Sequence, residues 1–168
     1  RHSSSMKNLI LTICLTLAVL LGSAGTSWGA DFQKGLAAAK SGDFATALRE
    51  WKPLAEQGDA GAQYYLGRLY NYGLGVPQYY RTAVKWYRLA AEQGDAGAQY
   101  NLGTMYGAGL GVLQDYVYAH MWGNIAASNG NENGAKLRDL VAERMTSSQI
   151  ERAQDLARKC VAKNYKGC

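Results

Sequence analysis

The chain has 168 residues and a formal net charge of +5. This length suits one compact domain with a single core. The charge excess is mild and spread along the chain without a dense Lys/Arg block, which excludes the electrostatic footprint of an ordinary nucleic-acid-binding protein.

Residues 1–30 have the pattern of a leader that contains a signal peptide. Lys7 supplies a positive start, and residues 9–21 form an apolar run of 13 residues. A membrane span needs about 20 residues, so we predict export with cleavage near Asp31. The alternative is an uncleaved N-terminal anchor. Residues 1–5 precede the first methionine and are excluded from the fold prediction. Removal of the leader leaves 16 basic and 13 acidic side chains.

Three cysteines bear on the redox environment of the chain. Cys14 lies in the apolar run and is lost when the signal peptide is cleaved. Cys160 and Cys168 then remain, and in an oxidising compartment they are candidates for a disulfide that ties the chain end to the last helix. The alternative is two free thiols. No metal site is predicted, because His2 and His120 both lie far from this pair in the sequence.

Two consecutive segments, 56–91 and 92–127, are near copies of each other. They align without gaps, share 22 of 36 residues, and both contain EQGDAGAQY and G-L-G-V. Self-similarity at a fixed period indicates tandem structural repeats. The flanking sequence continues the pattern more weakly, so we predict a single repeat domain over residues 31–168. The predicted units are about 31–57, 58–93, 94–129 and 130–168.

Each unit is predicted to contain two helices. Asp59 and Asp95 precede Ala-rich helical patterns, and their carboxylates are the predicted N-caps of the first helices. The glycines of the G-L-G-V strings end these helices. The second helices are predicted to begin near Tyr79 and near Asp115. Asp115 has a capping side chain, whereas Tyr79 has none.

The apolar residues of each helix recur at the spacing of one buried stripe. Gly67 and Gly103 lie within the stripes of the first helices, which predicts close approach of the paired helix. On the second helices, small alanines alternate with large aromatic residues. At these spacings we predict that Trp51, Trp86 and Trp122 are core residues.

The last unit keeps only traces of the repeat. Thr146 and Gln149 form a capping box, which predicts a final helix with apolar residues at Ile150, Leu156 and Val161. A more polar terminal unit is typical of the cap of a repeat array. The whole pattern predicts an all-α fold of about four helix-turn-helix repeats, or eight helices, without strands.

The strings AEQGDAGAQYYLGRLYNYGLGVPQ and AEQGDAGAQYNLGTMYGAGLGVLQD are each followed by A-x-x-W and Ala-Ala. They resemble the Sel-one-like repeat (SLR) family, which is similar to tetratricopeptide repeats. The resemblance covers roughly residues 32–163. It implies a right-handed α-solenoid, an α/α superhelix, whose concave face is lined by first helices and binds peptides or proteins. Some secreted relatives were proposed to handle β-lactam or cell-wall compounds.

Candidate ligand-binding residues are those at which the two full units differ on their first helices, because a scaffold can vary them without losing its packing. Three pairs that meet this condition are positions 65 and 101, 68 and 104, and 72 and 108. By analogy with tetratricopeptide grooves, Tyr64 and Tyr100 are also expected on the concave side. The candidate groove residues are Tyr64, Tyr65, Arg68, Tyr72, Tyr100, Asn101 and Thr104.

The sequence offers few convergent polar groups for catalysis. Capping explains Asp59 and Asp95. His120 stands where the preceding repeat has Val84, and we predict a partly buried histidine whose polar atoms are satisfied. The G-L-G-V strings lack the lysine and the strand of a phosphate-binding loop. We therefore predict no catalytic residue, no cofactor and no enzymatic activity.

Three functions remain open on these observations. The leading hypothesis is a non-enzymatic protein–protein interaction scaffold of the cell envelope, periplasmic or secreted, that binds a peptide or protein in a concave groove. One alternative is a cell-wall-active or β-lactam-binding hydrolase. The other is a structural spacer in an envelope assembly. None of them involves nucleic acid, or a membrane span after signal cleavage.

Overall fold

The computed structural model of the chain describes residues 29–168. The predicted signal-peptide features and Cys14 lie outside the described residues. Within residues 29–168 the chain forms eight helices and no strand, which confirms the all-α prediction. The helices are α1 (Phe32–Lys40), α2 (Phe44–Glu56), α3 (Ala60–Tyr72), α4 (Tyr80–Ala91), α5 (Ala96–Ala108), α6 (Tyr116–Ser128), α7 (Glu132–Ala142) and α8 (Ser147–Ala162).

Local sequence decides where the helices begin. The aspartates before three helices each accept a first-turn N–H at 2.7 or 2.8 Å, and they are Asp59, Asp95 and Asp115. At α8, the Thr146 N–H donates to Gln149 Oε1 at 2.8 Å, and the Gln149 N–H donates to Thr146 Oγ1 at 3.3 Å. Tyr79 caps α4 without a side-chain hydrogen bond. All of these capping predictions are confirmed.

Helices from α1 to α6 each pack on the next helix along the chain. Glycine makes this packing close. A Cβ atom on Gly67 of α3 would lie 2.5 Å from the ring of Tyr87 on α4. A Cβ atom on Gly103 of α5 would lie 3.2 Å from the carbonyl oxygen of Ala119 on α6. The predicted close approach at both glycines is therefore confirmed.

The last helix departs from the hairpin pattern. α8 packs mainly against α6 rather than α7. Its buried residues are Ala153, Ala157 and Cys160, which lie on one face at spacings of four and three. Val161 is 47% exposed and lies outside this buried face. Small residues face α6 because they let the two helices approach.

The predicted tryptophan core is confirmed at two of its three positions. Trp51 and Trp122 are 1% and 0% exposed. Trp86 is only partly buried, and Lys85 Nζ lies 5.5 Å from its ring centroid. The adjacent Tyr87 is fully buried in its place. On α4, the side chain that faces α3 is thus the tyrosine.

Four aromatic rings join the two clusters of buried apolar residues. The first cluster surrounds Trp51, and Tyr65 packs against it; the second surrounds Tyr87, and Tyr64 packs against that. The Trp51 and Tyr65 rings are stacked with centroids 4.6 Å apart. Tyr64 lies 5.1 Å from Tyr65 and 6.2 Å from Tyr87. One interior therefore continues from the first hairpin into the second.

A short C-terminal segment follows α8. Cys160 and Cys168 are joined by a disulfide, with Cα atoms 5.6 Å apart. Within the closed loop, the Tyr165 hydroxyl donates to Asn129 Oδ1 at 3.1 Å. This contact holds the chain end against the end of α6. Among the helices of residues 29–168, none combines the length and apolar character that a bilayer crossing requires.

Candidate functional site

The first helices of successive units leave three repeat-related gaps, between α1 and α3, between α3 and α5, and between α5 and α7. We call this series of gaps the groove. Glycine fixes the register of the two helices within each unit: a Cβ atom on Gly35 would overlap Trp51 in the first unit, as one on Gly67 would overlap Tyr87 in the second. In this register Lys40, Tyr72 and Ala108 occupy one repeat position.

The first gap contains a cavity of about 350 Å³. Its walls are apolar and come from all three neighbouring helices, and they include Leu36, Phe44, Leu69 and Leu74. Lys40 at the end of α1 and Arg68 on α3 are the charged residues among those that line it. A volume of this size accommodates a small ligand or a large side chain.

Two aromatic rings support the first cavity. Trp51 is held in place because its Nε1–H donates to the Phe32 carbonyl oxygen at 3.3 Å. Tyr65 stacks on Trp51, and the Arg68 guanidinium lies 5.9 Å from the Tyr65 ring centroid and 6.0 Å from that of Tyr64. Cation–π attraction of this kind orients a guanidinium without neutralising its charge. Arg68 is thereby available to an anionic ligand.

The third gap contains a second cavity, of about 290 Å³. It is formed by α5, by Tyr116 of α6, and by α7. Leu137 and Leu140 supply apolar surface, and Leu140 is 53% exposed. Arg144 is the charged residue among those that line this cavity. Thr104, a predicted groove residue, lies on its α5 wall.

The predicted groove residues fall into two sets. Tyr65, Arg68 and Thr104 line a cavity. The other four do not line either cavity, and they are Tyr64, Tyr72, Tyr100 and Asn101.

Members of the second set differ in exposure. Tyr64 is half-buried beside Gly97, and burial raises the pKa of its hydroxyl. Tyr72 is 57% exposed and lies one turn after Arg68 on the same side of α3. Tyr100 is half-buried, and its carbonyl oxygen accepts the Thr104 hydroxyl at 3.1 Å. Asn101 is half-buried as well.

The rims of both cavities are positively charged. Lys40 and Arg68 border the first cavity, and Arg144 borders the third-gap cavity. Within residues 29–168, no carboxylate lies within 4.0 Å of any of these three cations. Arg144 Nη1 donates instead to the Leu140 carbonyl oxygen at 3.3 Å. An apolar site with uncompensated cations favours a ligand that is apolar and anionic.

Comparison of the two full units alone missed several lining residues. Lys40 and Trp51 belong to the first unit, and Leu137, Leu140 and Arg144 belong to the last. A signal for them exists in the repeat register, in which Arg144 falls at the position of Lys40. It is hidden because the turn of the first unit is shorter and the last unit has lost most of the shared residues.

No catalytic constellation appears among the described residues. His120 is 3% exposed, and burial lowers its pKa, with Arg138 acting in the same direction. Its buried Nδ1 has no hydrogen-bond partner. The prediction of a partly buried, satisfied histidine is therefore wrong on both counts, because α7 covers α6 here. Within residues 29–168, no group of three or more His, Cys, Asp or Glu side chains is placed to hold a metal ion.

Comparisons with known proteins agree with this architecture. The family model of the Sel1 repeat matches residues 60–95 and 96–131. No curated protein matches the chain. A protective antigen present in uropathogenic Escherichia coli strains, described as displaying an SLR fold, is 31% identical with a TM-score of 0.74, over 78% of this chain and 29% of that one.

A second similar structure is a Sel1 repeat protein from Oxalobacter formigenes. It is 32% identical with a TM-score of 0.62, over 64% of this chain and 44% of that one. The chain thus spans less than half the length of either protein. Two Sel1 repeats, their hairpin packing and these two likenesses together show that the chain contains Sel1 repeats and has the α-solenoid fold of SLR proteins.

Proposed function

We propose that the protein is a non-enzymatic interaction scaffold of the cell envelope, which binds a peptide or protein segment along the groove. Sel1 repeats are generally protein–protein interaction scaffolds, and this supports the class of function. The observation that carries the proposal is the basic, apolar lining of the first gap. Arg68 and Lys40 border a cavity of about 350 Å³ without a carboxylate partner in the described part of the chain.

Three observations support a location outside the cytoplasm. The disulfide between Cys160 and Cys168 is typical of oxidising compartments. The sequence before Asp31 has the composition of a signal peptide. The similar protein from uropathogenic Escherichia coli is an antigen, which agrees with exposure to a host. A periplasmic or secreted location is therefore part of the proposal.

A hydrolase would need a nucleophile beside a base in an accessible cavity. His120 is buried between helices and lines neither groove cavity. No such pair supports the hydrolase alternative in residues 29–168. The spacer alternative differs from our proposal in one respect that can be measured, because a spacer captures nothing in its groove.

Site-specific photo-cross-linking in the native envelope tests the proposal. A benzoylphenylalanine at Tyr72, which is exposed on the groove side of α3, is expected to yield a discrete adduct with one segment of one partner. The same probe at Leu89 on α4 is the matched control, since Leu89 is 37% exposed and lines neither cavity. Excess unmodified protein should compete with the Tyr72 adduct.

A spacer predicts that the two positions give the same adducts or none. Either result would overturn the groove proposal. Location is tested separately by the mass of the protein recovered from the periplasm or the medium. A mass that starts near Asp31 supports export, whereas recovery of the full chain from the cytoplasm refutes it.

A further inference from the structure

The first and third gaps of the groove share the same chemistry although their residues differ. Phe44 and Tyr116 occupy the same repeat position, and each lines its cavity. Lys40 borders the first cavity from α1, the helix before that gap, whereas Arg144 borders the other cavity from the end of α7, the helix after its gap. Trp51 forms the floor of the first cavity, whereas Gly123 stands at that position in the third unit and lets α7 approach. Both gaps nevertheless combine apolar walls with a basic rim.

The second gap, between α3 and α5, is lined by more polar residues. Its α3 side has Tyr72 at the position of Lys40, and its α5 side carries the small polar residue Asn101. These residues offer hydrogen bonds to a peptide backbone rather than a pocket for a large side chain. The groove therefore alternates between an apolar site, a polar stretch and a second apolar site.

The two cavities are two repeat steps apart. Each step between successive first helices is taken as roughly 10 Å, the separation of neighbouring helices in a packed layer, so two steps span about 20 Å. An extended peptide rises about 3.3 Å per residue and covers that distance in about six residues. Side chains six positions apart lie on the same side of an extended chain, since successive side chains alternate.

We infer that the groove binds an acidic peptide segment in extended form, with two large apolar side chains about six residues apart that enter the first and third gaps. The inference rests on the proposed function and specifies its ligand class. Carboxylates next to each anchor pair with the three rim cations Lys40, Arg68 and Arg144. The partner is a protein rather than nucleic acid, because three separated cations beside apolar cavities do not form a phosphate-binding stripe.

The test measures binding of capped synthetic peptides to the purified exported protein. The probe Ac-EFEGSGEFE-amide has two Phe anchors six positions apart. It is expected to shift the NMR signals of the Trp51 indole N–H and of the backbone amides of Leu140 and Arg144 together. Its affinity, measured by calorimetry, should exceed that of Ac-QFQGSGQFQ-amide and of Ac-EFEGSGEAE-amide by about tenfold each.

Protein variants locate the carboxylate contacts. Arg68→Gln and Arg144→Gln are each expected to weaken binding of the acidic probe about tenfold and to leave the Gln peptide unaffected. Lys85→Gln is the matched control, because Lys85 is an exposed cation over the Trp86 ring that lines neither cavity. This variant should bind like the unchanged protein. Circular dichroism establishes that all three variants are folded.

Each contrary result identifies the part of the inference that is wrong. Equal binding of the acidic and Gln peptides overturns the role of the rim cations. Equal binding of the one-anchor and two-anchor peptides overturns the paired cavities. If none of the peptides binds while cross-linking at Tyr72 still gives a groove-specific adduct, the ligand class is wrong and the proposed function stands. If both experiments fail, the proposed function falls as well.

Discussion

Gly67 of α3 lies directly against the ring of Tyr87 on α4, so that a Cβ atom at Gly67 would come within 2.5 Å of Tyr87 Cδ1. The same relationship joins Gly35 of α1 to Trp51 of α2. A missing side chain on one helix and a large ring on the next make up one interlocking contact. This contact sets the helix spacing on which the groove depends.

Gly67→Ala is therefore expected to destabilise the protein although alanine favours helix by about 1 kcal/mol. Overlap with the Tyr87 ring should outweigh that gain and lower the free energy of unfolding by about 1–3 kcal/mol in urea titrations. Gly107→Ala is the control, since a Cβ there would lie 3.5 Å from the nearest side chain. An unchanged unfolding midpoint for Gly67→Ala would contradict the interlocking contact.

Gln99→Leu is expected to weaken the junction between the second and third hairpins. Gln99 is fully buried, its amide donates to the Ala91 carbonyl oxygen at 3.1 Å, and its Oε1 accepts from Asn129 Nδ2 at 2.9 Å. Leucine removes both bonds, and the expected loss is about 1–3 kcal/mol in the free energy of unfolding. The exposed Gln78→Leu should cost less than about 0.5 kcal/mol. Equal losses of unfolding free energy in Gln99→Leu and Gln78→Leu would contradict the prediction that burial makes the Gln99 hydrogen bonds important.

Protonation of His120 is expected to make stability depend on pH. Burial holds the pKa of His120 below its ordinary value of 6.5 in the folded protein, so the unfolded chain binds the proton at higher pH. Stability is therefore full above pH 6.5 and falls as pH drops from there toward the folded pKa. In urea titrations between about pH 7.5 and 5, His120→Val should lose less stability than the unchanged protein.

Val84 occupies the equivalent repeat position, so His120→Val uses a residue that the fold already accepts. If the variant and the unchanged protein lost stability in parallel over this pH range, another group would be responsible. The carboxylates whose pKa is lowered by hydrogen bonds, such as Asp139 and Asp155, act at lower pH, because their ordinary pKa is 3.8.

Reduction of the Cys160–Cys168 disulfide is expected to release the chain end. Asn164 and Tyr165 within the loop have φ values of 49° and 66°, a left-handed conformation that non-glycine residues rarely adopt without a constraint. Loss of the covalent closure of a loop this short should lower the free energy of unfolding by about 2–3 kcal/mol. Urea titrations with and without reductant measure the difference.

The Cys160→Ser, Cys168→Ser double variant is the control for the reductant and should not respond to it. Mass spectrometry after thiol alkylation provides a second measurement. The unreduced protein should take up no alkyl group on these two residues. Alkylation of both thiols before reduction would show that the bond is absent.

Local interactions were predicted correctly because each involves residues close together in the chain. Asp59 and Asp95 cap their helices through the third residue that follows, and Thr146 with Gln149 closes its capping box in the same way. Tyr79 has no side chain that can cap, and none does. The duplicated segment fixed the number and type of helices for the same reason, since each unit repeats a self-contained pattern.

Features that join distant residues were predicted less well. His120 is more deeply buried than expected because α7 packs over it. No residue close to His120 in the sequence indicates this contact. Trp86 is predicted to be a core residue, although the adjacent Tyr87 is the side chain that is fully buried. In both cases the helix is predicted correctly and the burial of its side chains is not.

Sequence alone determined the repeat, the helices and their caps, because a hydrogen bond within one turn depends only on neighbouring residues. Tertiary structure alone decided that Lys40 and Arg144 border two apolar cavities, and that Trp51 supports the first of them. These residues come from the units that diverged most from the shared pattern. Their placement beside the cavities follows from how the helices stack, which the repeat register by itself does not show.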